Sequence, residues 1–229
     1  MKKTVVITGG SGFLGGAVVE RYVAGDWRVV VPWIVEKEIQ RLQERMGTIE
    51  GLVTLQADIT DGGDWQRVLD TAGPVHAGIL LVGGFDMAPV AETDPSAWDR
   101  LVAVNATSAF QSARALLPRI AENEDGGSMV TVAAELALDR GAPGMGAYAA
   151  TKAAVVSLTQ TLSREAEDDG VNVNAIAPRI IDTPANREAM PDADRSTWLT
   201  PTEIAEVIAF LTGPAGRIVN GSVLTLNRG

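Results

Sequence analysis

Near the amino terminus the sequence reads Thr4-Val5-Val6-Ile7-Thr8-Gly9-Gly10-Ser11-Gly12-Phe13-Leu14-Gly15-Gly16, an apolar run that ends in a cluster of glycines. The run predicts a buried strand, and the residues after it predict a helix over Gly12–Ala24. Glycines between a strand and a helix permit a tight turn and let a pyrophosphate approach the helix N-terminus. The same glycines also fit an ordinary strand-to-helix connection, so the turn alone leaves both interpretations open.

Short apolar runs alternate with helical patterns along the rest of the chain. The predicted strands are Thr4–Thr8, Arg28–Trp33, Leu52–Gln56, Ala77–Val82, Ser128–Ala133, Val171–Ile176 and Ser222–Leu226. The predicted helices are Gly12–Ala24, Glu36–Met46, Asp64–Thr71, Trp98–Ala121, Ala147–Glu167 and Pro201–Leu211. Mostly apolar strands are typical of a sheet buried on both faces. The alternation predicts an α/β fold, a Rossmann-like doubly wound parallel sheet of about seven strands with helices on both faces.

No linker, repeat or low-complexity segment divides the sequence, so we expect one single domain over residues 1–229. The least regular stretch is 179–199, which contains Pro184, Pro191 and several charges. It directly follows a predicted strand, at the edge where α/β folds bind their ligands. We therefore expect a mobile substrate loop at 179–199.

The composition argues against several classes of function. The chain has 229 residues, no cysteine, one histidine (His76) and a formal net charge of -10. These counts argue against a disulfide scaffold, a thiol nucleophile and a zinc site, so we expect no metal. The acidic balance argues against nucleic-acid binding, and no apolar run reaches the length of a membrane span. The run Thr4–Ile7 is too short for a signal core, so we expect a cytoplasmic protein.

A tyrosine and a lysine stand one helical turn apart in Tyr148-Ala149-Ala150-Thr151-Lys152. Residues four apart share one face of a helix. An ammonium beside the phenol favours the tyrosinate, lowers the tyrosine pKa from about 10 and prepares it to exchange protons near neutral pH. A surface tyrosine with a solvated lysine has the same spacing. Against that reading, the chain contains only four lysines, Lys2, Lys3, Lys37 and Lys152.

The order and spacing of these motifs resemble the short-chain dehydrogenase/reductase family over essentially the whole chain. Further segments agree with that family. They are Ala57-Asp58-Ile59-Thr60 after the third strand, Val104-Asn105-Ala106 in the long fourth helix, Asn174-Ala175-Ile176-Ala177-Pro178 with Thr183, and Asn220-Gly221-Ser222-Val223-Leu224 near the end.

The resemblance implies an enzyme that binds NAD or NADP and transfers hydride to or from a small-molecule substrate. It implies that Tyr148 is the general acid/base and that Lys152 binds the nicotinamide ribose and tunes the pKa of Tyr148. It also implies that Asn105 bends its helix and so holds a proton-relay water. The cofactor-binding residues that it implies are Gly9, Ser11, Gly12, Phe13, Leu14, Asp58 (at the adenine amino group), Ile59, Gly83, Gly84, Tyr148, Lys152, Pro178, Ile181 and Thr183. It also implies a homodimer or homotetramer that pairs through helices 98–121 and 147–167.

Several positions depart from the family pattern. The middle glycine of the turn is Gly12, whereas the usual position is one place later, at Phe13. The segment Leu80-Leu81-Val82-Gly83 stands where Asn-Asn-Ala-Gly is usual, and Arg179 replaces a glycine. Cofactor binding survives these changes if Gly83 and Gly84 still allow a close approach of the backbone.

The most consequential departure is Glu135, which stands where the family has its catalytic serine. That serine donates a hydrogen bond to the substrate carbonyl, and losing such a donor costs on the order of 100- to 1,000-fold in rate. Three explanations stay open: the substrate is easily reduced, Glu135 or a water takes part, or catalysis is weak.

A narrower likeness fits an easily reduced substrate. The stretches Ala137–Met145 and Asp182–Arg187, the latter followed by Met190–Asp194 and Trp198, resemble dihydropteridine reductase in the C-terminal half of the chain. The likeness adds a pterin-like substrate to the carbonyl and alcohol substrates, without fixing which one is used. Trp198 lies in the stretch 179–199, and two roles stay open for it: packing, or closure over a flat substrate.

The sequence leaves the choice between NAD and NADP open. An acid at the end of the second strand binds the adenosine ribose of NAD, whereas a nearby arginine pairs with the 2′-phosphate of NADP. Trp33 occupies the expected position, and Glu36 and Lys37 are weak candidates for either role. No arginine stands close to Trp33 in the sequence, and the glycine turn carries no basic residue.

Two other functions remain open. An NAD(P)-binding sensor or structural protein with little or no turnover fits the missing serine, whereas Tyr148, Lys152 and Asn105 argue for an enzyme. A sugar epimerase or dehydratase fits the glycine spacing, but those enzymes usually carry a larger C-terminal substrate domain.

Overall fold

Seven parallel strands form one sheet in the computed structural model, which describes residues 2–139 and 141–228. The strands are β1 (Thr4–Thr8), β2 (Arg28–Trp33), β3 (Leu52–Gln56), β4 (Ala77–Leu80), β5 (Gly127–Val132), β6 (Val171–Pro178) and β7 (Val223–Leu226). Their spatial order is β3-β2-β1-β4-β5-β6-β7, with Val5 of β1 beside Val29 of β2 and Ala77 of β4. The predicted Rossmann-like, doubly wound parallel sheet is confirmed.

The helices in the described ranges lie close to the predicted ones. They are α1 (Phe13–Ala24), α2 (Glu36–Met46), α3 (Gly62–Ala72), α4 (Pro95–Leu101), α5 (Ser108–Ala121), α6 (Gly146–Glu165), α7 (Pro184–Ala189) and α8 (Pro201–Thr212). No helix in this part of the chain is both long enough and apolar enough to span a membrane. Met1 and Gly229 of the expected domain, and Arg140 in the stretch that resembles dihydropteridine reductase, lie outside the described residues.

The core has two layers because successive strand side chains point to opposite faces of the sheet. Val5 and Ile7 of β1 face the layer that holds α1, α2 and α8, whereas Val6 faces the layer that holds α3, α5 and α6. All three valine and isoleucine side chains are fully buried. The helices pack against both faces of the sheet, and this close packing fixes the positions of the carboxyl ends of its strands.

The predicted helix Trp98–Ala121 contains an irregular turn. A π-helical segment, Val102–Thr107, joins α4 to α5 and surrounds the buried Asn105. Such segments are rare and often mark functional sites, because the widened turn changes the hydrogen bonding of the backbone. The irregularity lies at the asparagine for which the family resemblance implies a bend.

The stretch 179–199 is more ordered than the sequence indicates. It contains the unpredicted helix α7, and its two ends are joined where Leu199 N donates to Ile180 O (2.9 Å) and Asp182 N donates to Leu199 O (2.8 Å). Trp198 is only 3% exposed and lies within the packed interior. Of the two roles left open for Trp198, the structure favours packing, because the ring is buried.

Candidate active site

The site residues predicted from the sequence lie at the carboxyl ends of the strands. The glycine turn follows β1, Asp58 follows β3, Gly83 follows β4, and Pro178 ends β6. Parallel strands present their carboxyl ends at one edge of the sheet, where α/β folds bind ligands. The structure therefore places all these residues along one edge.

The glycine turn has the backbone geometry that an anion site requires. Gly9 has a φ of +70°, and a Cβ there would lie 2.9 Å from Val82 N, so only glycine fits between the turn and the chain leaving β4. Helix α1 begins after Gly12 without a side-chain cap and without an acidic residue in its first turn. Its free N–H groups and positive dipole end favour a phosphate.

The other residues of the turn differ in what they offer a ligand. Thr8 Oγ1 is buried without a hydrogen-bond partner among the described residues. Ser11 is 6% exposed and its Oγ donates to Glu38 Oε2 (3.1 Å). Phe13 is 38% exposed, whereas Leu14 is partly buried and packs against the core.

Hydrogen bonds of the Asn105 side chain link the segment after β4 to helix α6. Its Oδ1 accepts a hydrogen bond from Gly84 N (2.9 Å), and its Nδ2 donates to Gly84 O (3.1 Å) and to Thr151 Oγ1 (3.0 Å). The residue is 1% exposed, and both N–H groups of its amide are used within the protein. The side chain of Asn105 thus positions Gly84 and α6.

Lys152 is a buried cation at the centre of this edge. It is 5% exposed, and its Nζ donates to Val132 O (2.8 Å) at the end of β5. A Cβ on Gly83 would lie 3.0 Å from Lys152 Nζ and 2.9 Å from Asn105 Oδ1, so Gly83 touches both side chains. No described carboxylate forms an ion pair with Lys152. Burial lowers the pKa of Lys152 to about 8, because the charged form loses its hydration.

Tyr148 lies one turn before Lys152 on α6 and is partly buried. Its ring contacts Phe85 edge to face, with 5.0 Å between the ring centroids. Burial raises the pKa of Tyr148 to about 12. The expected lowering of this pKa by Lys152 is not found, because desolvation of the phenolate is the controlling effect and the ammonium is directed to Val132 O.

Glu135 begins a short 3₁₀ turn after β5 and is directed to the neighbouring strand ends. Its Oε1 accepts a hydrogen bond from Asn227 Nδ2 (2.7 Å), and its Oε2 lies 3.5 Å from Arg179 Nε. The three side chains follow β5, β6 and β7 and form a row. An ionised carboxylate only accepts hydrogen bonds, so Glu135 does not supply the donor that a serine would supply.

The residues expected at the nicotinamide end lie together beyond β6. Pro178 is buried, Ile181 packs against the core, and Thr183 caps α7 by accepting a hydrogen bond from Asn186 N (3.2 Å). Accepting this bond leaves the hydrogen of the Thr183 hydroxyl free to donate.

The residues expected at the adenine end lie after β3, away from the Tyr148–Lys152 pair. Asp58 is exposed, and its Oδ1 accepts from Thr60 N (2.9 Å) and Thr60 Oγ1 (2.7 Å). Ile59 is 8% exposed and its carbonyl accepts from Trp65 Nε1 (2.9 Å). The N–H group of Ile59 makes no hydrogen bond among those described and is available to a ligand.

Three contributors to this edge were missed in the sequence. Thr151 links Asn105 to α6, and Phe85 contacts Tyr148. Arg41 reaches the glycine turn, with one guanidinium nitrogen donating to Ser11 O (3.3 Å) and the guanidinium carbon 4.1 Å from the centre of the Phe13 ring. No arginine stands close to Trp33 in the sequence, but the fold brings Arg41 to the glycine turn. The spacing of Glu38 and Arg41, one turn apart on α2, was the available signal.

A concavity of about 1190 Å³ lies at the opposite, amino-terminal edge of the sheet, next to Lys3, His76 and Ser128. None of the predicted site residues lines it. His76 there accepts a hydrogen bond from Thr4 N at its Nδ1 (3.1 Å), which is a structural role. Across the described residues no cluster of His, Asp and Glu is suited to hold a metal ion.

Comparisons with known proteins agree with this geometry. The chain is 28% identical over 247 residues to 3beta-hydroxysteroid dehydrogenase 2 of Eggerthella lenta, covering 99% of this chain and 94% of that protein. It is 33% identical over 184 residues to a sorbitol dehydrogenase of Cereibacter sphaeroides, covering 79% of this chain and 71% of that protein. The solved structure of 3-ketoacyl-(acyl-carrier-protein) reductase from Brucella melitensis, complexed with NADH, superposes with a TM-score of 0.87 at 26% identity, covering 99% of this chain and 97% of that one. The sequence profile described as short chain dehydrogenase matches residues 3–194, and this chain therefore belongs to the short-chain dehydrogenase family of oxidoreductases.

Proposed function

We propose that this chain is an NAD(P)-dependent oxidoreductase that transfers hydride between a nicotinamide and a carbonyl, alcohol or pterin-like substrate, with Tyr148 as general acid/base. The observation that carries the proposal is Lys152, a buried ammonium without a carboxylate partner among the described residues, one turn from Tyr148. A buried, unpaired cation costs stability, and such groups concentrate at functional sites.

The residues at this edge fit a nicotinamide dinucleotide. The uncapped N-terminus of α1 and Gly9 suit the pyrophosphate, and the unpartnered hydroxyl of Thr8 lies at the same turn. Lys152 is placed to donate to ribose hydroxyls beside Gly83, and the free hydroxyl hydrogen of Thr183 to a carboxamide. When bound, the nicotinamide supplies or accepts the hydride.

Tyr148 is the proposed proton donor to the substrate. A pKa of about 12 keeps its phenol protonated at neutral pH, which suits donation to a substrate oxygen or nitrogen during reduction. As the proton leaves, the ammonium of Lys152 on the same helical face stabilises the tyrosinate. A water held by the widened backbone turn at Asn105 would return a proton to the phenol.

Two features describe the substrate. Glu135 offers no hydrogen-bond donor, so the reacting group must be electron-poor enough to be reduced with Tyr148 as its main donor. Phe85 and Met87 lie 56% and 60% exposed on the loop beside Tyr148 and offer an apolar wall. We therefore propose an activated carbonyl or imine next to a flat apolar group, a description that includes pterin-like rings.

One observation favours a second candidate function. The carboxylate of Glu135 accepts a hydrogen bond from Asn227 and is paired with Arg179. These contacts suit an NAD(P)-binding sensor or structural protein that has lost useful turnover. The intact arrangement of Asn105, Thr151 and Lys152 favours the enzyme.

Fluorescence titration with NADH and NADPH, followed by turnover with a panel of activated ketones, imines and quinonoid dihydropterin, separates the two. The enzyme proposal expects saturable binding and turnover that Tyr148→Phe reduces by about 100-fold or more. Cofactor binding should persist in that variant. Binding without turnover across the panel would favour the second candidate, and no binding of either cofactor would contradict both.

A further inference from the structure

Helix α2 presents two opposite charges to the glycine turn. Glu38 and Arg41 stand one turn apart on its inner face. Glu38 accepts the hydroxyl hydrogen of Ser11, whereas Arg41 donates to the carbonyl of Ser11 and lies over the ring of Phe13. Both side chains thus lie at the adenosine end of the proposed cofactor site, beside the carboxyl end of β2.

Arg41 has no acidic partner among the residues that the structure describes, although the chain carries 29 acidic residues and a net charge of -10. No ion pair in the described part of the chain includes it. Arg45, the next arginine on α2, is paired with Glu20. An unpaired arginine in so acidic a protein, next to an uncapped helix N-terminus, is suited to an anion.

Most of the N–H donors of the Arg41 guanidinium are unused among the described residues. Arginine carries five N–H groups, and this one makes a single hydrogen bond, at 3.3 Å, while the Phe13 ring holds its plane. The end of β2 offers no acid for a ribose diol, because Trp33 occupies that position and packs against the core. This environment suits a phosphate on the ribose better than a free hydroxyl.

We propose that Arg41 binds the 2′-phosphate of NADP(H) and makes NADP(H) the preferred cofactor. The inference rests on the proposed function, since it concerns the same cofactor site. Glu38 opposes Arg41, because its carboxylate repels a phosphate at this position. Removing the charge of Glu38 therefore strengthens NADPH binding, while removing that of Arg41 weakens it.

The test measures dissociation constants of NADPH and NADH by fluorescence for the wild type, Arg41→Ala, Arg41→Gln and Glu38→Gln. Arg45→Ala is the matched control, a neighbouring arginine that is already paired. We expect NADPH to bind the wild type more tightly than NADH. Both Arg41 variants should lose about 10- to 100-fold in NADPH affinity, the range for a charged hydrogen-bonded contact, with little change for NADH. Glu38→Gln should gain NADPH affinity, and Arg45→Ala should match the wild type.

Competition by two adenosine nucleotides isolates the phosphate. Adenosine 2′,5′-bisphosphate and adenosine 5′-monophosphate differ only in the 2′-phosphate, and Arg41→Ala should weaken the first alone. Equal losses for NADH and NADPH, or a wild type that prefers NADH, would overturn the role of Arg41 and leave the proposed function standing. A wild type that binds neither cofactor would remove the proposed function itself. If the Arg41 variants do not fold, the gain in NADPH affinity expected for Glu38→Gln still tests the proposal.

Discussion

Lys152 shows how a single residue of this site weakens the fold that carries it. Its ammonium is 5% exposed with only the carbonyl of Val132 as acceptor. We expect Lys152→Met to raise the free energy of unfolding at pH 7 by about 1–3 kcal/mol, because an unpaired buried charge is removed, while turnover is lost. Urea unfolding of both proteins measures the difference.

The pH dependence of that difference has a defined sign. The pKa of Lys152 is about 8 in the folded chain against an ordinary 10.5, so between these values the unfolded chain binds more protons. Rising pH therefore stabilises the wild type relative to Lys152→Met across this window, and the gap closes. A gap that stays constant from pH 7 to pH 10.5 would show that Lys152 is not desolvated as the structure has it.

We expect Glu135 to limit which substrates can react. We expect Glu135→Ser to raise kcat on an unactivated ketone by about ten-fold or more, because a serine hydroxyl can donate to the carbonyl oxygen. Glu135→Ala is the control, since it breaks the contacts to Asn227 and Arg179 without adding a donor. Equal rates for the two variants would show that a missing donor is not what limits the reaction.

Sequence patterns anticipated single residues only where the relevant neighbours are local. The spacing of Tyr148 and Lys152 follows from the helical period, and both lie on α6. The pKa of Tyr148 does not follow from spacing, because it depends on burial by segments such as the one with Phe85. Arg41 was missed for the same reason, since its contact with Ser11 spans two helices and a turn.

At the scale of elements, periodicity predicted every strand of the sheet, and β1, β2 and β3 have the predicted ends. Buried parallel strands and amphipathic helices can be predicted because their hydrophobic pattern lies in consecutive residues. The π-helical segment Val102–Thr107 and helix α7 lack such a pattern. They depend on contacts between distant segments, such as those of Asn105 with Gly84 and Thr151.

Asn105 gives a test of how elements are held together. Asn105→Ala removes the hydrogen bonds to Gly84 and Thr151 and leaves the partly buried N–H and C=O groups of Gly84 without these partners. We expect a loss of about 1–3 kcal/mol in the free energy of unfolding, together with a lower kcat. Asn186→Ala, which removes a partly buried bond to Ile181 O, is the control. Unfolding and rate equal to the wild type would contradict the positioning role of Asn105.

At the scale of the whole molecule, we propose that copies pair through the helices of 98–121 and 147–167. Phe110 on α5 is 50% exposed and Trp98 on α4 is 43% exposed, and association would cover both rings. We expect Phe110→Asp to shift a dimer or tetramer to a smaller species in light scattering after size exclusion. Phe210→Asp on α8, where the ring is 46% exposed, is the control and should leave the mass unchanged. A wild type that runs as a monomer would contradict the proposal.

The central claim is that hydride passes directly between a nicotinamide and a substrate held beside Tyr148 and Lys152. Its most direct measurement supplies reduced cofactor carrying deuterium at C4 of the nicotinamide, with an activated ketone, and follows the label into the product by mass spectrometry. We expect deuterium on the carbon that was the carbonyl carbon. We also expect Tyr148→Phe to bind the cofactor but to form about 100-fold less product. Unlabelled product from both stereospecifically deuterated cofactors, or a Tyr148→Phe variant as fast as the wild type, would contradict it.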